Sequence, residues 1–251
     1  MSDTRLRILS VVAAAAALSL ALAACQGSSP EAAPESAAPA PLVPYTVADD
    51  AGVIAPCVQE GDTVLTLGDS PLPTEALAFG AGERAVILAH QAGQRPCAWE
   101  EFGRELADAG YRVFIPSLSG TPEGVMGAAV AWLTDEGVRD YAIVGASMGG
   151  TFALAATPSL SPTPSLVVAI SSPTVYGSSD ALAAIEGVEV PVLLIVGDAD
   201  GEFTGQVRQL AEARPAAELL VVPSAAHGID LRASDAEAAS RLDAALHDAL
   251  G

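Results

Sequence analysis

Short, continuous runs of Val, Ile, Leu and Ala recur along the chain, each separated from the next by a stretch of helical character. This alternation most limits what the chain can fold into. "AVILA" (85–89), "YRVFIP" (111–116), "YAIVG" (141–145), "SLVVAIS" (165–171), "VPVLLIVG" (190–197) and "AELLVVP" (217–223) read as strands. Runs that are apolar at every position, rather than every second one, belong to strands buried on both faces, which means a parallel sheet covered by helices. Helices are expected near 99–109, ended by Gly110; 122–136, opened by Pro122 and closed by Gly137; 148–156; and 203–213. A last one spans 234–250, with Ser234 as cap and Leu242, Ala245, Leu246 and Leu250 as its apolar positions. Strand and helix in turn predict an α/β fold: a mostly parallel, doubly wound sheet with helices on both faces. Two earlier runs, 63–67 and 75–79, are expected to pair as a hairpin at one sheet edge.

The first 44 residues have a different character. Arg5 and Arg7 precede an apolar run from 8 to 24, broken only by Ser10 and Ser19 and ending in small residues before Cys25, the layout of an export signal. "LAAC" (22–25) resembles the lipobox of bacterial lipoproteins, which implies cleavage before Cys25, acylation of its thiol and attachment to the cell envelope. The competing reading is an uncut membrane anchor, for which the run is at the lower limit of length. "QGSSPEAAPESAAPAPLVP" (26–44) is too poor in large apolar side chains to offset its ordering entropy and reads as an extended tether. The expected organisation is a signal peptide over 1–24, a disordered tether over 25–50 and a folded domain over 51–251. In an exported chain the remaining Cys57 and Cys97 are expected to form a disulfide, two separate buried thiols being the alternative.

Composition narrows the function classes. Of 251 residues, 51% are apolar, enough for a sizeable core. The 31 acidic and 11 basic residues give a net charge of -20, which repels phosphate backbones and argues against nucleic-acid binding. The acidity is scattered and fits a solubilising surface.

Chemistry centres on "VGASMGGT" (144–151). Gly145-Ala146-Ser147-Met148-Gly149 stands where a strand hands over to a helix, the context that raises a serine on a tight, strained turn with its hydroxyl exposed. Such a hydroxyl needs a base and a group to orient it. Of the three histidines, His247 lies on a helix face and His90 suits the shaping of a loop, whereas His227, in "PSAAHGID" after the last strand, is the expected base. "DADGE" (198–202) at the end of "VPVLLIVG" offers Asp198, Asp200 and Glu202. All three pieces fall at carboxyl ends of parallel strands, the edge where such folds place their sites.

"GASMGG", "LLIVGDAD" and "AAHG", in that order, resemble the nucleophile, acid and base segments of the α/β-hydrolase superfamily over roughly residues 62–251. The resemblance implies an α/β-hydrolase fold with Ser147 as nucleophile, His227 as base and Asp200 as acid, Asp198 being the substitute. It implies an oxyanion hole made by the N–H of Met148 and by that of Ala92. Relatives carry His-Gly-x-Gly where this chain has His90-Gln91-Ala92-Gly93, so Gln91 is an alternative donor or an amide for substrate. Ser117 stands where an aspartate is common. "AHQAGQRPCAW" (89–99) is similar to a run in exported bacterial hydrolases that keep the loop cysteine, which supports the Cys57–Cys97 pairing. Residues 172–189 are too few for a cap domain, so the site is expected to be open and suited to small acyl substrates. The implied activity is hydrolysis of a carboxylic ester, less readily an amide, without metal or organic cofactor. A non-catalytic binding lipoprotein on the same scaffold and a serine peptidase relative are the alternatives.

Overall fold

The computed structural model describes residues 45–68 and 74–251. Cys25, the segment 1–24 and the proline-rich stretch to residue 44 lie outside the described residues. The apolar runs become the strands of a nine-stranded sheet. Its members are β1 (Tyr45–Val47), β2 (Thr63–Leu67), β3 (Thr74–Phe79), β4 (Arg84–Ala89), β5 (Arg112–Pro116), β6 (Asp140–Ala146), β7 (Leu166–Ile170) and, beyond a short hairpin of β8 (Val175–Tyr176) with β9 (Ser179–Asp180), β10 (Val192–Gly197) and β11 (Glu218–Val222). The helices are α1 (Glu100–Asp108), α2 (Pro122–Asp135), α3 (Met148–Ala156), α4 (Ala181–Ile185), α5 (Gly201–Ala213), α6 (Ile229–Ser234) and α7 (Ala236–Leu250).

The sheet order is β1-β2-β3-β5-β4-β6-β7-β10-β11. The first strands pair antiparallel as far as β3 with β5, and β5-β4-β6-β7-β10-β11 run parallel. After β4 the chain goes to one side for β5 and returns to the other for β6. Strand order therefore reverses between β4 and β6, which stay paired to their ends while the chain leaving them turns to opposite faces of the sheet, the kind of place where open α/β sheets hold their sites.

Each parallel strand alternates its side chains between two cores. Ile87, Ile143, Val167 and Leu194 face one, with α2, α3, α4 and α5 packed over them. Val86, Val144, Val168 and Leu193 face the other, beneath α1, α6 and α7. Burial on both faces is why these strands carry no polar alternation.

Several boundaries differ from the sequence reading. β1 lies within the stretch 25–50, so the folded body reaches back at least to Tyr45, and β1 rather than the β2–β3 hairpin forms the edge. The last helical stretch is two helices. Asp235 caps the second by accepting from the Ala238 N–H at 2.9 Å, whereas the Ser234 hydroxyl donates back to the Asp230 carbonyl. Between β7 and β10 only the small hairpin and α4 intervene, so there is no cap domain.

Cys57 and Cys97 are joined by a disulfide with Cα atoms 5.4 Å apart. Beside it the Arg104 guanidinium donates to both oxygens of Asp62, at 2.8 and 2.6 Å, and to the Cys57 carbonyl. The bridge closes a separation of 40 residues, for which the loss of unfolded-chain entropy is worth about 4 kcal/mol. Replacing both cysteines by serine is expected to lower stability by about that amount, seen as a fall of roughly 10 °C in the thermal unfolding midpoint.

Candidate active site

At the end of β6 the chain turns into α3 through a single residue. Ser147 has φ 48 and ψ -115, a conformation that costs a side-chain-bearing residue about 1–3 kcal/mol. The turn is held on both sides: the Ser147 N–H donates to the Ile170 carbonyl at 2.8 Å, and the Ser147 carbonyl accepts from the N–H groups of Gly150 and Thr151. Glycine is required around it because a Cβ on Gly145 would lie 2.3 Å from the Gly149 carbonyl oxygen, and one on Gly149 would lie 2.1 Å from that of Ala89. Ser147 as a whole residue is only 6% exposed, so the turn is buried among its neighbours.

Asp200 stands at the N-terminal boundary of α5, yet its carboxylate does not cap that helix. Both oxygens lie instead against His227 Nδ1, at 3.0 and 3.1 Å, with the Asp200 side chain 5% exposed and that of His227 30% exposed. Nδ1 donates its proton to this carboxylate, which leaves the lone pair of the neutral ring on Nε2. Asp198 is elsewhere: exposed, and accepting from the Ser224 N–H at 3.1 Å. The Phe203 ring, one turn into α5, packs on the imidazole with centroids 4.2 Å apart. An aromatic residue in a first helical turn carries no signal that separates such a role from core packing, and the sequence reading missed it.

The serine and histidine segments meet through their neighbours. A Cβ on Gly228 would lie 3.5 Å from that of Ala146, which places the residue after His227 against the residue before Ser147. No hydrogen bond joins the Ser147 hydroxyl to His227 among the described residues.

The loop after β4 flanks the turn. The N–H groups of Met148, Gln91 and Ala92 have no protein partner among the described residues, and Met148 opens α3, where the helix dipole favours negative charge. His90 shapes this loop. It is 6% exposed, its Nε2 accepts from the Leu118 N–H at 3.3 Å and its Nδ1 donates to the Gln91 carbonyl at 3.0 Å. Gln91 does not offer its side-chain carbonyl to a substrate, because that oxygen accepts from the Ile229 N–H at 2.9 Å. His247 is exposed on α7. Among the described residues no group of three His, Cys, Asp or Glu side chains is arranged to hold a metal ion.

No protein-family model matches the chain, and no curated protein matches its sequence. Solved structures do match. A dienelactone hydrolase from Anabaena variabilis superposes with a TM-score of 0.59 at 20% identity, covering 74% of this chain and 95% of its own. For a proline iminopeptidase from Mycobacterium smegmatis the figures are 0.61, 13%, 74% and 98%, and for an esterase from Pyrococcus furiosus 0.59, 19%, 75% and 89%. The chain has the α/β-hydrolase fold, and identities this low establish the fold alone.

Burial, opposed by the Gln91 hydrogen bond, holds the His90 imidazole below its ordinary 6.5. The folded chain thus resists a proton that the unfolded chain accepts. This contribution to stability is complete above about pH 6.5 and is lost as pH falls toward the depressed folded value. Thermal unfolding midpoints measured from pH 7.5 down to 5 are expected to fall, and His90→Asn is expected to flatten that slope.

Proposed function

We propose that the chain is a serine hydrolase of carboxylic esters working through an acyl-enzyme on Ser147. The observation that carries this reading is the buried Asp200 carboxylate on His227 Nδ1, one residue removed from a contact with the strained serine turn. His227 Nε2 takes the hydroxyl proton as Oγ bonds to the acyl carbon. The tetrahedral oxyanion is met by the Met148 N–H and, from the β4 loop, by that of Ala92 or Gln91, donors worth about 3–4 kcal/mol each. His227 then gives the proton to the departing alkoxide oxygen as the C–O bond breaks. Water repeats the sequence to release the acid and regenerate Ser147.

Asp200 acts by keeping the ring in the Nδ1–H tautomer and by stabilising the imidazolium. Asp198, occupied by Ser224, is not assigned this part. With no cap between β7 and β10, the reading favours small acyl groups or an ester exposed on a larger molecule. The names of the superposed hydrolases support the ester assignment, and that of the iminopeptidase is the reason to include an amide in the test.

The full chain is expected to be labelled by a fluorophosphonate and to hydrolyse p-nitrophenyl acetate, with Ser147→Ala abolishing both and Asp200→Asn lowering kcat by about 10⁴. A prolyl p-nitroanilide measured alongside is expected to react far more slowly. Folded protein that neither labels nor turns over would make the chain a binder on this scaffold.

We further propose attachment to the bacterial envelope through acylated Cys25, which the sequence pattern 22–25 supports. Metabolic labelling with an alkyne fatty acid is expected to tag the chain, and Cys25→Ala is expected to abolish the tag and leave the unprocessed precursor.

A further inference from the structure

His227 belongs to the loop after β11, the outermost parallel strand, while Ser147 ends β6, three strand positions inward. At about 4.8 Å per strand the loop must carry the imidazole across roughly 14 Å of sheet edge. A loop crossing that distance has backbone N–H groups to satisfy on the way. It does so stepwise. Over β10, the Ser224 N–H reaches Asp198 and the Ser224 carbonyl accepts from the Ala199 N–H. Over β7, the Gly228 N–H donates to the Ser171 hydroxyl at 3.0 Å. Over β4, the Ile229 N–H donates to Gln91 Oε1 at 2.9 Å.

The last two differ from the first because they fall on the two residues after His227 and come from buried side chains. Ser171 is fully buried, and with Ser147 it is one of two non-glycine residues held at positive φ among the described residues, at 53. Gln91 is 9% exposed. The orientation of its amide follows from the donor it meets, since only the oxygen can accept from an N–H. Gly228 and Ile229 open α6, where helical geometry leaves N–H groups without an internal partner. Their acceptors are supplied from two other strand ends. The fit is close: a Cβ on Gly228 would lie 2.0 Å from Gln91 Oε1.

We propose that Gln91 and Ser171 are positioning residues that fix His227 relative to the nucleophile and the oxyanion loop by accepting the two backbone N–H groups that follow it. Gln91 has a double part, since its side chain ties the histidine loop to the same backbone segment that offers the oxyanion donor. The base and the oxyanion hole are thereby held as one unit. This rests on the assignment of Ser147 and His227 as nucleophile and base.

The test compares the full chain with Gln91→Met, which keeps length and removes the acceptor, Gln91→Glu, which keeps an acceptor of the same reach, and Ser171→Ala. Amide exchange at Gly228 and Ile229 reads the hydrogen bonds whether or not the chain is an enzyme. Gln91→Met is expected to accelerate Ile229 exchange at least 10-fold and Ser171→Ala that of Gly228, while Gln91→Glu retains protection. On p-nitrophenyl acetate, Gln91→Met is expected to lower kcat about 10- to 100-fold with KM changed less than about twofold, and to slow fluorophosphonate labelling in proportion. Exchange unchanged in Gln91→Met, or accelerated with kcat and labelling intact, overturns the proposal. A wild-type chain that neither labels nor turns over overturns the hydrolase reading and the positioning role with it, while exchange still shows whether the tie itself exists.

Discussion

The closeness of α3 to the end of β4 governs this molecule. A Cβ at Gly149 would sit 2.1 Å from the Ala89 carbonyl oxygen, so only a hydrogen at that place lets the helix start where it does. Displacing the helix would carry the Met148 N–H, which opens it, away from the β4 loop. The strained conformation of Ser147 follows from the same crowding, because strand must become helix within one residue. Its cost is local, and the hydrogen bonds to Ile170, Gly150 and Thr151 hold the turn in place.

Parallel register extends this constraint across the sheet. Five adjacent strands, β4, β6, β7, β10 and β11, each place a residue of interest at or just beyond their carboxyl ends: Gln91, Ser147, Ser171, Asp200 and His227. Ser147 and Ser171 repeat one arrangement one strand apart. Each follows its strand at positive φ and donates its N–H to a carbonyl near the end of the adjoining strand, that of Ile170, the last residue of β7, for one and that of Ile195, third from the end of β10, for the other. The ladder thus runs one residue past the regular strand, and the strained residues are continuous with the sheet's hydrogen-bonded backbone.

The strands were legible in the sequence because a run buried on both faces needs no partner to declare itself. Ser147 was legible because the close approaches around it demand glycine. The residues alone did not separate Asp198 from Asp200, and only the family resemblance favoured Asp200: both follow Gly197, and what distinguishes them is the Ser224 N–H beside one and the imidazole beside the other. Gln91 and Ser171 were opaque for a related reason, since their partners lie 138 and 57 residues away and are backbone N–H groups, which carry no residue-specific pattern. β1, β8 and β9, of two or three residues each, are too short to show a period.

Under the proposed acyl-enzyme chemistry, charge constrains how the site would meet a developing oxyanion. The chain contains no lysine, and most of its described arginines are engaged by carboxylates or carbonyls on other faces, as Arg104 is by Asp62, Arg112 by Glu136, Arg232 by Glu105 and Arg241 by Glu218. Around the site the exposed Asp198, Glu202 and Asp230 contribute a field of the wrong sign for an anion. On that reading stabilisation comes from dipoles at contact range, the N–H groups of the β4 loop and the start of α3 that have no protein partner among the described residues. Salt screens the long-range field over about 10 Å, whereas a hydrogen bond made in a recess from which water is largely excluded is little affected. On that reading the burial of Ser147, next in the chain to the Met148 N–H, suits this division, because it keeps the reaction near such dipoles and away from the acidic exterior while the His227 side chain stays 30% exposed.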